Sequence, residues 1–419
     1  MKYDMPADFF LTNSRVDIIA KYLYAKYREC NYDTPFALNL YKRHLEVWNG
    51  FDEIDNTNKK TFDSFVHIFH DILDSIKAVG YDNGKSSVPV TEDGRLLNGS
   101  HRVASCLLYD KPVLYHTTTD PSEGQVDCSS FYFRALGLDE KYLDAMAVEY
   151  SKLKKNAFII SLFPSAMAME KMGDIQRILT SETDVIHIKD IFHANAGPLN
   201  IVRQLYLGES WGGGWENNFS GIIDKARLCF TNSAPMRVFL VELNDVDHAK
   251  KLKGVIRDLY QLENHSCHIN DTHDETVRLS RVFFNDNSIH YMNSASLVYY
   301  PKFYEMLDYY KRFIDHHSLD SDEFCVTASS ILSLYGLREG QDLDYLHGEK
   351  MIDGHPEIHS HNNEIYNYTT SKDDILYNPE NHFYFDGIKF ASLNIIKQLK
   401  EKRSEPKDIV DIGLIENIL

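Results

Sequence analysis

The sequence predicts a multidomain chain of mixed α/β (α+β) class, and three observations carry that prediction. Its 419 residues exceed what a single hydrophobic core usually organises. Apolar residues make up 43% and charged residues 25%, an ordinary globular composition that excludes a mainly disordered chain. Apolar periodicity also switches repeatedly between helical spacing and short strand-like runs. The charge balance bounds function further: 44 Lys and Arg against 62 Asp and Glu give a net charge of −18 with no basic block, which opposes binding to duplex DNA. No cationic segment followed by an apolar stretch opens the chain, and no apolar run reaches the roughly 18 residues of a bilayer span. The cysteines at 30, 106, 128, 229, 267 and 325 form no CxxC pair, which suits a reducing compartment. A cytoplasmic location is expected.

The elements follow in order. Residues 1–80 read as helices, with apolar positions at helical spacing through Val16-Ile19-Tyr22-Leu23 and Phe65-Ile68-Phe69-Ile72-Leu73-Ile76. Val88–Val90 reads as a strand, Glu92-Asp93-Gly94 as a turn, and Arg95–Leu97 as a second extended run. A helix follows through Val103–Leu108, then a strand at Val113–Tyr115. The charged stretch near Tyr150–Lys155 closes a first domain, 1–150. A second, 156–315, alternates strands at 157–162, 184–188, 236–243 and 265–270 with helices at 169–180, 198–209, 217–230, 245–260 and from Asp274, the pattern of an α/β sandwich with one sheet. A third, 318–419, opens with a helix over 323–335. It continues through a strand at Asp342–Leu346, a His-rich loop, a strand at 382–390 and a terminal helix.

Three constellations carry chemistry. In the first, a strand, turn and strand deliver Gly99 and Ser100 to a helix start, where free N–H groups and the positive dipole end favour an anion. Arg102 adds a guanidinium fork for phosphate. Through Asp93-Gly94 and Gly99-Ser100-His101-Arg102, residues 60–116 resemble the ParB/sulfiredoxin-like superfamily. That resemblance implies a nucleotide-binding domain with Gly99, Ser100, His101 and Arg102 at the phosphates. Ser100 stands where sulfiredoxin has its reactive cysteine, which leaves the small-molecule kinase branch, with Glu92 or Asp93 as base. The nearby segment 80–86 imitates a Walker A loop, but it has one residue too few between its glycines and follows a helix instead of a strand.

In the second constellation, Asp342 and Asp344 sit at i and i+2 of a strand and so share a face, as carboxylates holding Mg²⁺ do. Gly336 ends the helix before them. The stretch 329–346 resembles the polymerase-β-like nucleotidyltransferase core, and the tail with Lys407-Asp408 and Asp411 resembles the end of such domains. The resemblance covers 320–419. It implies Asp342 and Asp344 as catalytic metal ligands, Asp386 as the third carboxylate, and Gly336 with Arg338 at the phosphates. Leu337 departs from the serine usual there.

The third constellation is His268-Ile269-Asn270-Asp271, with Asn264 before it and Glu275 after. A strand histidine oriented by a carboxylate can be a phosphoryl acceptor, or simply a locally bonded histidine with Asp271 or Thr272 capping the next helix. Residues 157–284 bear a weaker resemblance to nucleoside diphosphate kinases, which implies a ferredoxin-like sheet with His268 and Asp271 catalytic and Tyr206 on a helix. The usual Thr-Ile-Arg-Gly stretch appears only as Val255-Ile256-Arg257-Asp258, and the lysine after the first strand is replaced around Leu162–Pro164. Two further features are the loop His355–His361 with Glu364, spaced for a transition metal or simply polar, and Trp211-Gly212-Gly213-Gly214-Trp215, a lid or an anchored loop.

All three domains thus point to phosphate chemistry. The leading expectation is an Mg²⁺-dependent transferase that moves a phosphoryl or nucleotidyl group from ATP or CTP to a small molecule, such as a sugar or polyol in glycan assembly. Two alternatives stay open: a ParB/sulfiredoxin-type small-molecule kinase with a structural C-terminal domain, and a non-enzymatic nucleotide sensor. The partners expected are a nucleotide and a small-molecule substrate, not duplex nucleic acid or a bilayer; a homo-oligomer is compatible with the sequence.

Overall fold

A computed structural model describes residues 2–52, 60–81, 87–120, 127–167 and 169–419. Positions 82–86 of the Walker-like segment lie outside these. The fold is mixed α/β, with helices far outweighing strands. The strands are β1 (Lys2–Met5), β2 (Val88–Val90), β3 (Val113–Thr117), β4 (Ala157–Leu162), β5 (Asp184–Ile191), β6 (Met236–Glu242), β7 (Cys267–Ile269), β8 (Phe324–Thr327), β9 (Leu343–His347), β10 (Ile358–Ser360), β11 (His382–Phe385) and β12 (Ile388–Ala391). They form three sheets, ordered β1-β3-β2, β5-β6-β4-β7 and β10-β9-β8-β12-β11. No helix among the described residues is long and apolar enough to cross a membrane.

The chain divides into two compact units where the sequence suggests three domains. The first holds 1–157 with 182–188 and 239–244; the second holds 158–181, 189–238 and 245–419. The later two expected domains fall together because side chains stitch them: the Asn285 amide donates to the carbonyls of Pro379 and His382 at 3.0 and 3.1 Å. In the first unit, amphipathic helices such as Phe62–Val79 bury Phe65, Phe69, Leu73 and Ile76, as their spacing predicts. A capping box between Thr61 and Ser64 starts that helix. β1, which the helical reading of 1–80 omits, pairs antiparallel with β3, while β2 pairs parallel on the other side.

The third sheet corrects two expected elements. The helix expected over 323–335 is a strand in its first part: Phe324-Cys325-Val326-Thr327 is wholly buried between β9 and β12, and only Ser330–Leu334 is helical. Aromatic and β-branched residues buried on both faces favour a central strand over an apolar helix turn. The strand expected over 382–390 is a hairpin, β11 and β12, turning at Asp386 (φ 51°) and Gly387 (φ 78°).

The terminal helices Leu393–Arg403 and Pro406–Glu416 are clamped by a buried ion cluster. Lys400 Nζ lies 2.6 Å from Asp411 and 3.3 Å from Asp408, Arg403 reaches Asp408 at 2.6 Å, and Arg338 holds Asp411 with two bonds of 2.6 Å. Removing one partner strands a buried opposite charge. Asp411→Ala is therefore expected to cost about 3–5 kcal/mol, read as a lowered urea midpoint at unchanged slope.

Candidate functional site

In the second unit, β7 runs antiparallel to β4 with Ser161 opposite His268. The two-residue alternation buries Cys267 and Ile269 and turns His268 to the other face, where a cavity of about 450 Å³ opens. Its cations come from two helices. Ser220–Cys229 contributes Lys225; Val246–Tyr260 contributes Lys253 and Arg257, which share a helical face at i and i+4. Tyr206 meets the His268 ring edge to face at 4.9 Å and Trp211 at 5.0 Å, forming an aromatic wall. Asn264 completes the rim.

The carboxylate beside His268 is not Asp271 but Glu275, whose Oε1 lies 3.4 Å from Nε2. Asp271 also lines the cavity, mostly exposed and 3.4 Å from Lys253. Thr272 explains the difference. As N-cap of His273–Phe283 it accepts from the Glu275 N–H at 3.2 Å, which places Glu275 in the first helical turn facing back toward the strand. Burial pushes the His268 pKa down, outweighing the pull of Glu275, so the imidazole is neutral near pH 7. Burial also opposes ionisation of Glu275, but His268, the Asp271 amide and Arg278 outweigh it and hold the carboxyl below its usual range. A neutral histidine beside an ionised carboxylate keeps its proton on Nε2 and its lone pair on Nδ1. One buried atom of the lining away from that pair, Arg257 Nε, has no partner within hydrogen-bond geometry among the described residues. Such a donor is costly unless a ligand engages it.

The Asp342–Asp344 pair stands on its own. Asp344 lies at 7% exposure on β9, its N–H donating to Ser330 Oγ at 3.2 Å. Burial, then the charge of Asp342, push its carboxyl up to about 7 against the pull of Arg403, Lys400 and Lys407. His361 Nε2 is 3.4 Å away, and its Nδ1 lies 3.1 Å from Tyr368 Oη. The His-rich loop thus lends one histidine to this carboxylate, while His359 stays exposed. Two oxygen donors on one face whose charges repel are a fit for Mg²⁺.

The other residues expected here lie elsewhere. Asp386 is at the opposite end of the sheet: Thr327 pairs with Asp344 at one end of β8, while Val326 pairs with Phe390, so Ile388 and the turn before it lie toward Phe324. Gln204 and Arg203 hold the Asp386 carboxylate at 2.7 and 3.2 Å, so it is no third ligand of this pair. Arg338 is bound to Asp411 and offers no open fork to a phosphate. Gly336 (φ 74°) is required by close packing, since a Cβ there would lie 2.6 Å from the Ser296 carbonyl oxygen.

In the first unit, Gly99 (φ 98°) and Ser100 do open the helix Ser100–Leu108, but His101 turns into the core, 2.8 Å from Tyr41 Oη. Arg102 folds back over Gly99 and donates to Tyr81 Oη at 3.1 Å. A Cβ at Gly99 would meet Val88 at 2.6 Å and Arg102 at 3.0 Å. Gly99→Ala therefore combines left-handed strain with a clash and is expected to cost about 2 kcal/mol or more in denaturant titration. One group of three potential metal ligands converges among the described residues, Glu140, Asp144 and His187. Existing pairs account for it: His187 Nε2 is 2.9 Å from Asp144, and Arg134 grips both Glu140 oxygens.

Comparison with known proteins adds nothing to this geometry. No family model matches the chain, and no curated protein or solved structure is found similar to it.

Proposed function

We propose that the chain is a phosphotransferase that moves the γ-phosphoryl group of a nucleoside triphosphate to a small molecule through His268. The observation that carries this reading is the His268 cavity itself. A neutral imidazole beside an ionised Glu275 shares about 450 Å³ with Lys225, Lys253 and Arg257, and the Arg257 Nε donor is unsatisfied. In the first step Nδ1 attacks the γ-phosphorus. A P–N bond forms, the bond to the β-bridging oxygen breaks, and the nucleoside diphosphate leaves with its electron pair. Lys225, Lys253 and Arg257 offset the charge on the phosphate oxygens, as phosphoryl transfer requires. Trp211 offers a face on which a base can stack. The strand order β5-β6-β4-β7, with the first strand between the third and fourth, is that of a ferredoxin-like sandwich and supports the kinase-like resemblance, as does Arg257 at the cavity. The test is incubation with γ-labelled ATP and Mg²⁺: acid-labile, alkali-stable label on the protein, absent in His268→Ala, is expected. A stoichiometrically unlabelled wild-type chain would sink the reading.

A second reading, nucleotidyl transfer at Asp342 and Asp344, is favoured by the raised pKa of Asp344. There Asp342 and Asp344 would hold Mg²⁺, which would supply charge neutralisation at a triphosphate, with His361 3.4 Å from the Asp344 carboxylate. Release of pyrophosphate with transfer of α-label, lost in Asp342→Asn, distinguishes it from the first.

A further inference from the structure

A second cavity of about 490 Å³ in the same unit shares Tyr206, Leu207 and Glu209 with the one around His268. Its chemistry is different. Among the described residues the only cation in its lining is Arg203, 8% exposed, whose guanidinium carbon lies 4.5, 5.0 and 5.7 Å from the rings of Phe219, Phe385 and Trp215. Asp386 already answers its charge at 3.2 Å. Glu209 and Glu216 add two carboxylates, so the lining is net negative and opposes a phosphate-bearing ligand. Trp215 is a fixed apolar plate, packed on Phe219, Tyr299 and Tyr304 at 4.9, 5.1 and 4.9 Å. Gly212, Gly213 and Gly214 leave the wall bare, and a Cβ on Gly214 would strike the Glu216 carboxylate at 2.6 Å.

An aromatic plate takes the C–H face of a ring, and carboxylates accept hydrogen bonds from hydroxyl groups. We infer that this cavity binds an uncharged, hydroxyl-rich small molecule, a sugar or polyol. Under the phosphotransferase reading, on which only this part rests, that molecule is the acceptor. One of its hydroxyl oxygens forms the bond to phosphorus as the P–N bond to His268 breaks. The electron pair returns to Nδ1, and the hydroxyl proton passes to Glu209, which lines both cavities.

Binding is measured on the full chain without nucleotide, by ligand-observed NMR with glucose, N-acetylglucosamine, ribitol and glycerol, and with glucose 6-phosphate as the anionic counterpart. At least one neutral probe is expected to bind, with Trp215→Ala weakening it about tenfold or more and Trp215→Phe by no more than about threefold. Should Trp215→Ala not fold, Glu216→Leu, at an exposed position, is expected to weaken binding about tenfold by removing a hydroxyl acceptor. The inference is overturned if no neutral probe binds, if glucose 6-phosphate binds more tightly than glucose, or if these variants bind as the wild type does. Binding that persists in a chain forming no phosphohistidine removes the phosphoryl reading and leaves this one standing. Phosphohistidine without neutral-probe binding removes this one alone.

Discussion

His268→Ala is expected to lower phosphoryl transfer by about a thousandfold or more, because a nucleophile that forms the covalent intermediate has no substitute in its own cavity. Glu275→Gln separates nucleophile from positioning residue. The carboxylate holds the Nε2 proton, and its loss is expected to slow labelling about 10–100-fold. Two readouts go beyond a packing defect. Glu275 raises the His268 pKa against the dominant effect of burial, so removing its charge lowers that pKa further. The acid limb of labelling, where protonation silences the imidazole, therefore moves to lower pH in Glu275→Gln, while Glu275→Asp restores part of the rate. An unchanged acid limb would show that Glu275 serves only the helix start.

The cavity was half legible in the sequence. His268 stood out because a strand histidine followed by helix-start residues is a local pattern, whereas Arg257 was read only as part of a stretch that departs from the kinase pattern. The cations were not legible as a set: Lys225 and Lys253 lie on separate helices, and only the sheet brings them to His268. Asp271 does line the cavity, but that Glu275 is the carboxylate at His268 Nε2 follows from a countable rule. Thr272-His273-Asp274-Glu275 has the spacing of an N-cap and its third helical residue, and that spacing turns Glu275 toward the strand. Arg338 shows the opposite failure. Its position beside a glycine turn reads as a phosphate fork, but Asp411, far along the chain, takes Nε and Nη2, and the Glu339 carbonyl takes Nη1. Asp386 was placed by its strand alone; the hairpin, invisible until Asp386 and Gly387 adopt positive φ, puts it at the wrong end of the sheet. The helix expected at 323–335 likewise lost its first turn because Phe324–Thr327 is buried on both faces, a property set by β9 and β12 and not by local spacing.

Mg²⁺ binding at Asp342 and Asp344 is expected to depend steeply on pH in the range where ordinary carboxylates no longer titrate. Asp344 has its carboxyl pushed up to about 7, first by burial and then by Asp342. A cation competes with that proton. Below about pH 7 the affinity should fall about tenfold per pH unit, and above it should level off. Without the cation the sign for stability is the reverse of the usual aspartate. A folded pKa above the unfolded value means that the native state holds the extra proton, so stability is lost as pH rises from about 4 to about 7. Mg²⁺ should therefore raise the melting temperature more at pH 8 than at pH 6. Asp342→Asn tests the coupling. It removes one ligand and the repelling charge together, so maximal affinity falls while the Asp344 pKa moves down and the pH midpoint of binding shifts to lower values. A variant with weaker binding at an unmoved midpoint would mean that the two carboxylates do not share an ion. Calorimetric titration with Mg²⁺ across pH 5.5–8.5 reads both quantities, and it needs neither nucleotide nor a known acceptor.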